Sequence, residues 1–519
     1  MSETLFLLGC GTMQLPALNI ARDMGWYVVA ADGNPEAEGW NLCHQFLNID
    51  LKDTPALISA ARRTRESRGL DAVFTAGTDF SLAVARIAEA LGLPGHSPRA
   101  AALATDKVLM RRRFRERGVP SPDFAEIGPD DDIAALCEGI RGPWVVKPVD
   151  SMGARGVVKI ESRELLADAL EEARGYSFSR RALVETLVEG PEYSLDALVE
   201  DGRLIRCGLA DRHIFYPPCF IEMGHTIPST LNQNDTDRIW NVFEMGIKAL
   251  GLTRGAAKGD IRLSSSGPVV GEIAARLSGG YMSGWTYPYS SGIEPTRGAL
   301  RLAAGLSAST PGPSKKLVCA EKALIGIEGT VQHLDGREEA LELPGVKEVF
   351  LRYTPGMFLR FPRNNVEKAG NVIAVGVDFK EAEERSMAAL RKLNLVLNPS
   401  DNRTGVFLDA SEPFPPDAFN IENEVELSSF LNNLWAAHAP RPSRGFPAVP
   451  NDKIFVPPPP PSSITDYTGR SIADVLDILS SLGLLRLAEN SDAVVLSDFW
   501  KALIKGGLPG GRWYLEHRS

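Results

Sequence analysis

The chain has 519 residues, of which 44% are hydrophobic and 24% are charged, and its formal net charge is -10. This is ordinary globular composition, and the acidic balance argues against nucleic acid as the main partner. No apolar run approaches the ~18 residues of a membrane span, so a membrane is not expected as a partner either.

Two features of the chain predict a cytoplasmic protein. The first residues, MSETLFLLGCG, enter a strand without the basic stretch and cleavage site of a secretory signal. The six cysteines have neither disulfide nor metal-ligand spacing, which fits buried free thiols in a reducing compartment. They are Cys10, Cys43, Cys137, Cys207, Cys219 and Cys319.

Residues 4–96 alternate strand and helix patterns, with helices predicted at 54–68 and 81–91. This order predicts a doubly wound parallel sheet, an α/β arrangement. Two more helices are predicted before Gly118, and Lys107 lies in the first turn of the second one. The arginines that follow Lys107 are expected on a solvated face.

A glycine turn follows the first strand. Gly9 and Gly11 form a Gly-x-Gly pair, and Asp32 ends the second strand, where a dinucleotide-binding fold holds a ribose. Gln14 stands where the third glycine of that fingerprint would be. The pattern therefore favours a small-ligand turn or a purely structural turn over nicotinamide binding.

The segment PWVVKPVDSMGARGVVKI predicts a strand that ends at Lys147, a glycine-containing loop and a returning strand. A lysine at the end of a buried strand either loses its proton or requires an anion, and inward N–H groups of such a loop form a phosphate nest. A lysine that reaches solvent from an ordinary hairpin is the alternative. The loop residues are Ser151, Met152, Gly153, Ala154, Arg155 and Gly156.

Residues 181–205 predict a strand, a connector and a second strand. Carboxylates and backbone groups are spaced there along one edge, at Glu185, Leu187, Val188 and Glu192. Such an array can receive a purine and a ribose diol. Solvated acids at strand ends show the same spacing, so both interpretations stay open.

The stretch KGDIRLSSSGPVVGEIAARLSGG predicts two short strands joined through a Ser-Gly turn. With the turn centred on Ser266, Asp260 faces Glu272 about 5 Å away, and two carboxylates there repel by roughly 3 kcal/mol. We therefore expect a cation between them. Positive charge surrounds the pair, at Lys258, Arg262 and Arg276. Oxygen ligands beside fixed cations suit magnesium-nucleotide chemistry, whereas a surface hairpin with paired charges is the alternative.

The C-terminal part fits no family that we can name. A helix is predicted at 424–437, followed by a proline-rich linker with PPPPP at 457–461, which should be extended. Two amphipathic helices follow at 471–485 and 498–507, with a short ending around 513–514. An interaction module or a dimer contact is predicted, since the acidic balance opposes a winged-helix DNA reader.

In this order the pieces resemble the ATP-grasp superfamily over residues 4–408. The resemblance is carried by Lys107, Lys147 with its glycine loop, Glu185, Glu192, Asp260, Glu272, Arg276 and Gly279-Gly280. It implies an ATP-grasp fold, α/β and α+β, behind a parallel-sheet domain, and a closing domain like that of the carbamoyl-phosphate synthase and biotin carboxylase branch. The predicted parts are a sheet domain (1–118), a lid (119–200), a catalytic domain (201–310), a closing domain (311–408), a helix with linker (409–470) and a helical module (471–519).

The resemblance also implies how ATP is held. Phosphate contacts fall to Lys107, Lys147 and the loop 151–156, which closes over the nucleotide. Adenine contacts fall to Glu185 and the backbone of Leu187 and Val188, and the ribose contact to Glu192.

The metal and catalytic residues follow from the same resemblance. Asp260 and Glu272 are implied ligands of Mg²⁺, with Mn²⁺ as a second choice. Arg276 steadies an acyl phosphate, and Lys258 joins it in the catalytic set. Family members usually carry an asparagine two residues after the second carboxylate, but this chain has Ala274, which removes a ligand of a second metal ion.

The segment CFIEMGHTIPSTL is similar to the L-amino acid ligases within the superfamily. The matching histidine there lies at the acyl-acceptor side, which implies that role for His225 and, by extension, for Glu222. His225 is expected in a turn-like segment and not on an apolar face. Arg212 stands where many relatives carry a lysine near the nucleotide; the change keeps the charge but alters its geometry.

The function that this resemblance implies is an ATP-dependent ligase. It activates the carboxylate of an amino acid or small acid as an acyl phosphate, which an amine attacks to give an amide, ADP and phosphate. One alternative is a biotin- or bicarbonate-type carboxylase, which Ala274 and the GHTIPS segment disfavour. A second is a nucleotide-binding regulatory protein with reduced catalysis, which Ala274 and the unassigned C-terminal part support.

Overall fold

The computed structural model describes residues 3–128, 131, 133, 139–309, 312–422, 424–436, 454–487 and 497–517. The chain forms two compact units, one of residues 1–321 with 375–379 and the other of residues 322–374 with 380–519. The finer division into six parts stays a prediction. The described cysteines are free thiols, buried except for the half-buried Cys43, while Cys137 lies outside the described residues.

The first unit begins with the predicted parallel sheet. Its strands are β1 (Thr4–Leu8), β2 (Tyr27–Asp32), β3 (Gln45–Asn48) and β4 (Ala72–Phe74), in the order β3-β2-β1-β4. Helix α1 (Leu15–Asp23) packs on one face, and α2 (Thr54–Arg68) and α3 (Ser81–Leu91) pack on the other. The predicted sheet and the bounds of α2 and α3 are confirmed.

The side chain of Gln14 packs against the glycine turn after β1. Gln14 is 1% exposed; its Nε2 donates to the Ala76 carbonyl at 2.6 Å and its Oε1 accepts from the Ala76 N–H at 3.0 Å. The Asp32 carboxylate accepts from the Cys10 N–H at 2.7 Å. These contacts account for glutamine at the fingerprint's third position and favour the structural turn.

Two capped helices connect this sheet to the next part. They are α4 (Pro98–Thr105), capped by Ser97, and α5 (Lys107–Arg117), capped by Asp106 and ended by the left-handed Gly118. Side-chain oxygens satisfy N–H groups that a helix start leaves without partners. Lys107 therefore lies in the first turn of α5, as predicted, and is its first residue.

The described residues of the predicted lid form a small antiparallel sheet and a helix that packs on it. Its strands are β5 (Phe124–Ile127), β6 (Trp144–Pro148), β7 (Val158–Ile160) and β8 (Ala182–Thr186), in the order β5-β8-β6-β7. Helix α6 (Leu166–Tyr176) buries its apolar side on this sheet.

A longer antiparallel sheet forms the centre of the first unit. Its strands are β9 (Glu192–Glu200), β10 (Arg203–Phe215), β11 (Ile221–Ile227), β12 (Gly255–Ser264) and β13 (Gly267–Ala274), in the order β13-β12-β9-β10-β11. Helix α7 (Gln233–Leu250) packs on it. A π-helical turn (Met282–Thr286), α8 (Tyr287–Ser290) and α9 (Pro295–Ala303) follow, and β14 (Val318–Leu324), which neighbours β11, carries the chain across the unit boundary.

The second unit begins with the β-rich part that was predicted. Its strands are β15 (Gly329–Asp335), β16 (Val346–Leu351), β17 (Phe358–Leu359), β18 (Gly370–Gly376) and β19 (Asn394–Leu397), and the last two residues of β18 are assigned to the first unit. Strand β15 pairs with β17 and β19, and β16 pairs with β18. The helices are α10 (Arg337–Leu341), α11 (Phe379–Leu390), whose first residue is assigned to the first unit, and α12 (Asn402–Asp409).

The end of the chain is a helical module with its own core. It contains α13 (Val425–Ala436), β20 (Ile454–Val456), α14 (Ile472–Ser481), β21 (Leu485–Leu487) and α15 (Ser497–His517). The predicted short ending at 513–514 is wrong: after a break at Gly507 the helix resumes, because Trp513 and Leu515 are buried. No helix in the described ranges is long and apolar enough to cross a membrane.

We predict that Gln14→Leu destabilises the protein. The change leaves the buried N–H and carbonyl of Ala76 without these partners, which costs about 2–4 kcal/mol in the free energy of unfolding. Urea denaturation measures the loss. Gln45→Leu on the exposed edge strand β3 is the matched control, expected to stay within about 0.5 kcal/mol of the parent. Equal effects of the two substitutions would contradict the assignment.

Candidate active site

The hairpin of β12 and β13 pairs Asp260 with Glu272, as predicted. The turn is tighter than predicted, since Ser264 pairs directly with Gly267, and the register then shifts by one residue at Gly271. Such a bulge leaves one residue without a partner on the opposite strand. This extra residue compensates for the shorter turn, so Asp260 and Glu272 still lie opposite each other. Gly271 suits this position because a Cβ there would lie 3.2 Å from the Asp260 carbonyl oxygen.

Each acid of this pair is held by cations. Lys107 Nζ lies 3.2 Å from Glu272 Oε1. Asp260 forms ion pairs with Lys258 and with Arg212, whose Nη1 is 3.0 Å from Asp260 Oδ2. The expected repulsion between the two carboxylates is therefore offset by amines and a guanidinium that lie beside them.

The charge around Glu272 keeps it ionised. Burial opposes the ionised form, but the neighbouring positive charges outweigh it and lower the pKa of Glu272 to about 2. Those charges belong to Lys107, Lys258, Arg276 and Lys147. A group held as a carboxylate at neutral pH is a ready oxygen ligand for a divalent cation.

The acid pair fits a magnesium ion. Mg²⁺ is commonly held by one or two carboxylates, with phosphate oxygens and water completing its shell. Asp260 and Glu272 supply the carboxylates, whereas Ala274, buried opposite Lys258, supplies no oxygen. Within the described ranges no group of three or more acids, histidines and cysteines is placed to hold a metal ion. Because Mg²⁺ usually keeps water and binds substrate phosphates, the nucleotide and water would supply its remaining ligands.

A second buried cluster lies where the lid meets α5. Lys147, the next-to-last residue of β6, pairs with Glu185, which also accepts from Arg111 Nε at 2.7 Å. Burial lowers the pKa of Lys147 and Glu185 opposes this shift. The prediction of a solvated face is wrong for Arg111, which is fully buried because its guanidinium bonds Glu185 and the carbonyl of Gly271. The adenine role of Glu185 stays a prediction.

The glycine loop is held in a left-handed conformation. Gly153 and Ala154 have φ of 68° and 59°, and Gly156 has φ of 66°. Ala154 is the one residue of these three that is not glycine. Its Cβ disfavours the left-handed region, so this conformation costs free energy. Successive residues outside the ordinary regions let backbone N–H groups converge, as a phosphate nest requires.

Three parts of the first unit tether this loop. Lys107 Nζ donates to the Ser151 carbonyl at 2.7 Å, which joins the loop to α5. The remaining contacts are Arg155 to Asp79 at 2.8 Å and Arg276 to the sulfur of Met152 at 3.0 Å. The predicted phosphate residues Lys107 and the loop are therefore neighbours, and so is Arg276.

Arg212 joins three of the predicted groups. Its Nη1 pairs with Glu192 and Asp260, and its Nη2 lies 2.8 Å from Glu222 Oε2. Burial disfavours the charge, but Asp260, Glu222 and Glu192 outweigh it and raise the pKa of Arg212. The Arg212 guanidinium thus contacts three acids with different predicted roles. They are Glu192 for the ribose, Asp260 for the metal ion and Glu222 for the acyl acceptor.

The connector between β8 and β9 carries the predicted adenine contacts. The Leu187 N–H donates to the Pro143 carbonyl at 2.9 Å, and the Val188 carbonyl accepts from Arg262 Nη1 at 3.4 Å. Arg262 also pairs with Glu192 at 2.8 Å. The connector is thus fixed at the edge of the site, and its contact with adenine stays a prediction.

The placement predicted for His225 is wrong. It lies inside β11 and is fully buried, because β10 and β14 flank that strand. Residues three apart in a regular strand point to opposite faces. Here the pairing of β10 and β11 slips at Met223, and His225 Nδ1 comes within 4.0 Å of Glu222 Oε1.

Sequence reasoning missed a buried anchor of the segment after Arg276. Asp196 is fully buried in β9, opposite Lys258, and accepts from the Ser278 N–H and the Ser283 hydroxyl, both at 2.9 Å. Burial raises the pKa of Asp196, and these hydrogen bonds oppose the shift. An acid inside the apolar run SLDALV was the signal, because such a group needs partners.

Three family descriptions match parts of the chain. An ATP-grasp N-terminal domain matches residues 18–95, an ATP-grasp domain matches residues 140–284, and an L-amino acid ligase C-terminal domain 2 matches residues 324–398. The first includes strands β2 to β4 of the parallel sheet, and the second includes the glycine loop and the acid pair. The third lies in the second unit.

Individual relatives agree with these matches. Carnosine synthase 1 of Gallus gallus is 26% identical over 343 residues, covering 61% of this chain and 37% of its own length. Alanine–anticapsin ligase of Bacillus subtilis is 26% identical over 286 residues, covering 50% and 59%. The chain therefore spans less than two thirds of either protein.

A solved structure shares the fold. The L-amino acid ligase from Bacillus licheniformis superposes with a TM-score of 0.69 at 23% identity, over 76% of this chain and 99% of that one. The predicted ATP-grasp fold, with a parallel sheet before it and an extension after it, is confirmed by this likeness and by the matched domains.

We predict that Glu272 makes stability depend on pH below pH 5. Its pKa is lower in the folded chain than in the unfolded one, so its contribution is present above the unfolded value and disappears as pH falls toward 2. The contribution reaches up to about 3 kcal/mol at pH 6 and less than half of that at pH 3.

Unfolding free energies of the parent and Glu272→Gln, measured from pH 6 to pH 3, check this. The gap between the two curves should narrow as the pH is lowered. Parallel curves would show that the surrounding cations do not stabilise the Glu272 carboxylate.

Proposed function

We propose that this chain joins a small carboxylic acid to an amine at the expense of ATP. It belongs to the ATP-grasp superfamily of carboxylate–amine ligases. The acid is activated as an acyl phosphate with release of ADP. The amine then displaces phosphate to give an amide. Asp260 and Glu272, opposed on one hairpin among fixed cations, are the observation that carries the proposal.

The chain's own residues would position and stabilise the phosphates. Lys107 and Lys147 bring positive charge to the lid side, and the loop 151–156 brings N–H groups. A bound Mg²⁺ would neutralise phosphate charge between Asp260 and Glu272. Such groups favour a transition state when they are fixed before reaction, which is what the buried ion pairs provide.

Arg276 is proposed to hold the activated carboxyl group. Its guanidinium contacts Met152 of the glycine loop and the carbonyl of Leu277 at 2.8 Å. Asp196 holds the segment that follows through Ser278 and Ser283. The guanidinium would thus stand between the phosphate loop and the acyl group, where negative charge develops on attack by the amine.

We propose an amino acid as one substrate. The match to an L-amino acid ligase C-terminal domain at residues 324–398 and the relative named alanine–anticapsin ligase support this class. Glu222 and His225 lie next to Arg212 and would stand at the amine side. An amine arrives as an ammonium ion, and a carboxylate attracts it.

A second candidate is a nucleotide-binding regulatory protein with reduced catalysis. Ala274 favours it, because this residue removes an oxygen ligand beside the acid pair. The two candidates differ in one result, since only a ligase releases ADP in response to its acid and amine. ATP hydrolysis that depends on bicarbonate would instead indicate a carboxylase.

We predict substrate-dependent ADP release from ATP and Mg²⁺ with pooled amino acids and small carboxylates. Glu272→Gln should lower this turnover by on the order of 100-fold or more, since it removes one charged metal ligand. Glu171→Gln, on an exposed lid position, is the matched control and should keep parental turnover. Near-parental turnover in Glu272→Gln would refute the metal assignment, and no response to any pool would favour the regulatory protein.

A further inference from the structure

Next to Glu222 lies a buried row of polar side chains, of which the proposed chemistry uses only His225. Glu321, in the part of β14 that belongs to the first unit, is 1% exposed, and its Oε2 lies 3.2 Å from His225 Nδ1. On the other side of the ring, His225 Nε2 lies 2.9 Å from the hydroxyl of Thr286. Thr286 ends the π-helical turn and is fully buried.

Oxygens of two carboxylates lie near Nδ1 of the His225 imidazole ring. Glu321 is 3.2 Å from Nδ1 and Glu222 is 4.0 Å from it, both as ion-pair contacts without the alignment of a hydrogen bond. Ionised carboxylates only accept hydrogen bonds, so they favour a proton on Nδ1. Nε2 then accepts from the Thr286 hydroxyl at 2.9 Å, a shorter contact than the one from that hydroxyl to the Met282 carbonyl at 3.5 Å. Both ring nitrogens therefore face partners within the protein.

A buried acid in an apolar strand needs a compensating partner. Glu321 lies in VCAEKAL, between the buried Ala320 and the half-buried Lys322. An ionised carboxylate in such surroundings is costly unless it is paired and hydrogen-bonded. The imidazole of His225 is placed to serve as such a partner.

We propose that Glu321 is a positioning residue for the amine half of the reaction. It orients the ring of His225 through Nδ1, and His225 in turn keeps Glu222 in place beside Arg212. This inference rests on the proposed ligase function, because the amine is the substrate that Glu222 would attract. It assigns His225 an orienting role inside the protein and no direct proton transfer from the substrate.

Hydroxylamine separates the two halves of the reaction. As a small nucleophile it attacks the carbonyl carbon of an acyl phosphate, a C–N bond forms, the C–O bond to phosphate breaks, and a proton is released to solvent. The product is a hydroxamate, which is measured by its colour with iron. Its formation reports activation of the acid without requiring an ordered amine side.

The full-length chain is assayed with ATP, Mg²⁺ and the twenty protein amino acids as a pool. Glu321→Met removes the carboxylate at similar length, and Glu321→Gln keeps an oxygen acceptor. We expect pool-dependent ADP release without hydroxylamine to fall at least tenfold in Glu321→Met and less in Glu321→Gln. Hydroxamate formation should change less than threefold in both. Equal losses in the two assays, or parental ADP release in Glu321→Met, would overturn the proposal.

Nitrogen-15 spectra of the histidine rings give a second readout that needs no substrate. His225 is one of seven histidines, and its signals are identified by their loss in His225→Gln. We expect the parent to carry a proton on Nδ1 and Glu321→Met to lose this preference, with Glu321→Gln between them. An unchanged His225 spectrum in Glu321→Met would overturn the proposal. If the parent forms no hydroxamate, the ligase function fails while the spectra still decide whether Glu321 orients His225.

Discussion

Two carboxylates that face each other on one hairpin set the constraint on the rest of the site. Asp260 and Glu272 are directly opposed, and at about 5 Å they repel by roughly 3 kcal/mol unless positive charge lies beside them. That charge comes from separate elements: α5 supplies Lys107, β10 supplies Arg212 and β12 supplies Lys258. The need to neutralise one acid pair therefore brings a helix and neighbouring strands to one place.

Because the cations are shared, the parts of the site are linked. Lys107 contacts both Glu272 and the carbonyl of Ser151, so it joins the acid pair to the glycine loop. Arg212 contacts Asp260 and Glu222, so it joins the acid pair to the proposed amine side. A divalent ion that binds the two acids competes with these contacts. In our account, nucleotide binding then alters the charge on the loop and on the amine side together.

Much of this architecture follows from local patterns in the sequence. The helix at 54–68, the start of α5 at Lys107 and the parallel sheet depend on caps and periodicity, which neighbouring residues determine. The pairing of Asp260 with Glu272 was also predicted, although its turn and its bulge at Gly271 were not. A bulge depends on contacts from outside the hairpin, such as the one from Arg111, and a pattern of alternation does not contain them.

The misplaced residues share a physical cause. Arg111 and His225 are buried because distant chain segments supply their partners: Glu185 for the arginine and Glu321 for the histidine. Polar residues of this kind resemble exposed ones in composition, and only the fold decides which acid meets which base. The signal that sequence reasoning could have used is a charged residue inside an apolar strand, as at Asp196 and Glu321. Such a residue requires a partner even when the partner is unknown.

The central claim is that Asp260 and Glu272 together hold the metal ion of a bound nucleotide. A crystal structure of the full chain with Mg²⁺ and a non-hydrolysable ATP analogue tests it most directly. Our account predicts both carboxylates at about 2.1 Å from the metal ion, with the triphosphate between the acid pair and the loop 151–156. A triphosphate bound instead at the glycine turn after β1, or side chains of Asp260 and Glu272 directed away from the metal, would contradict it.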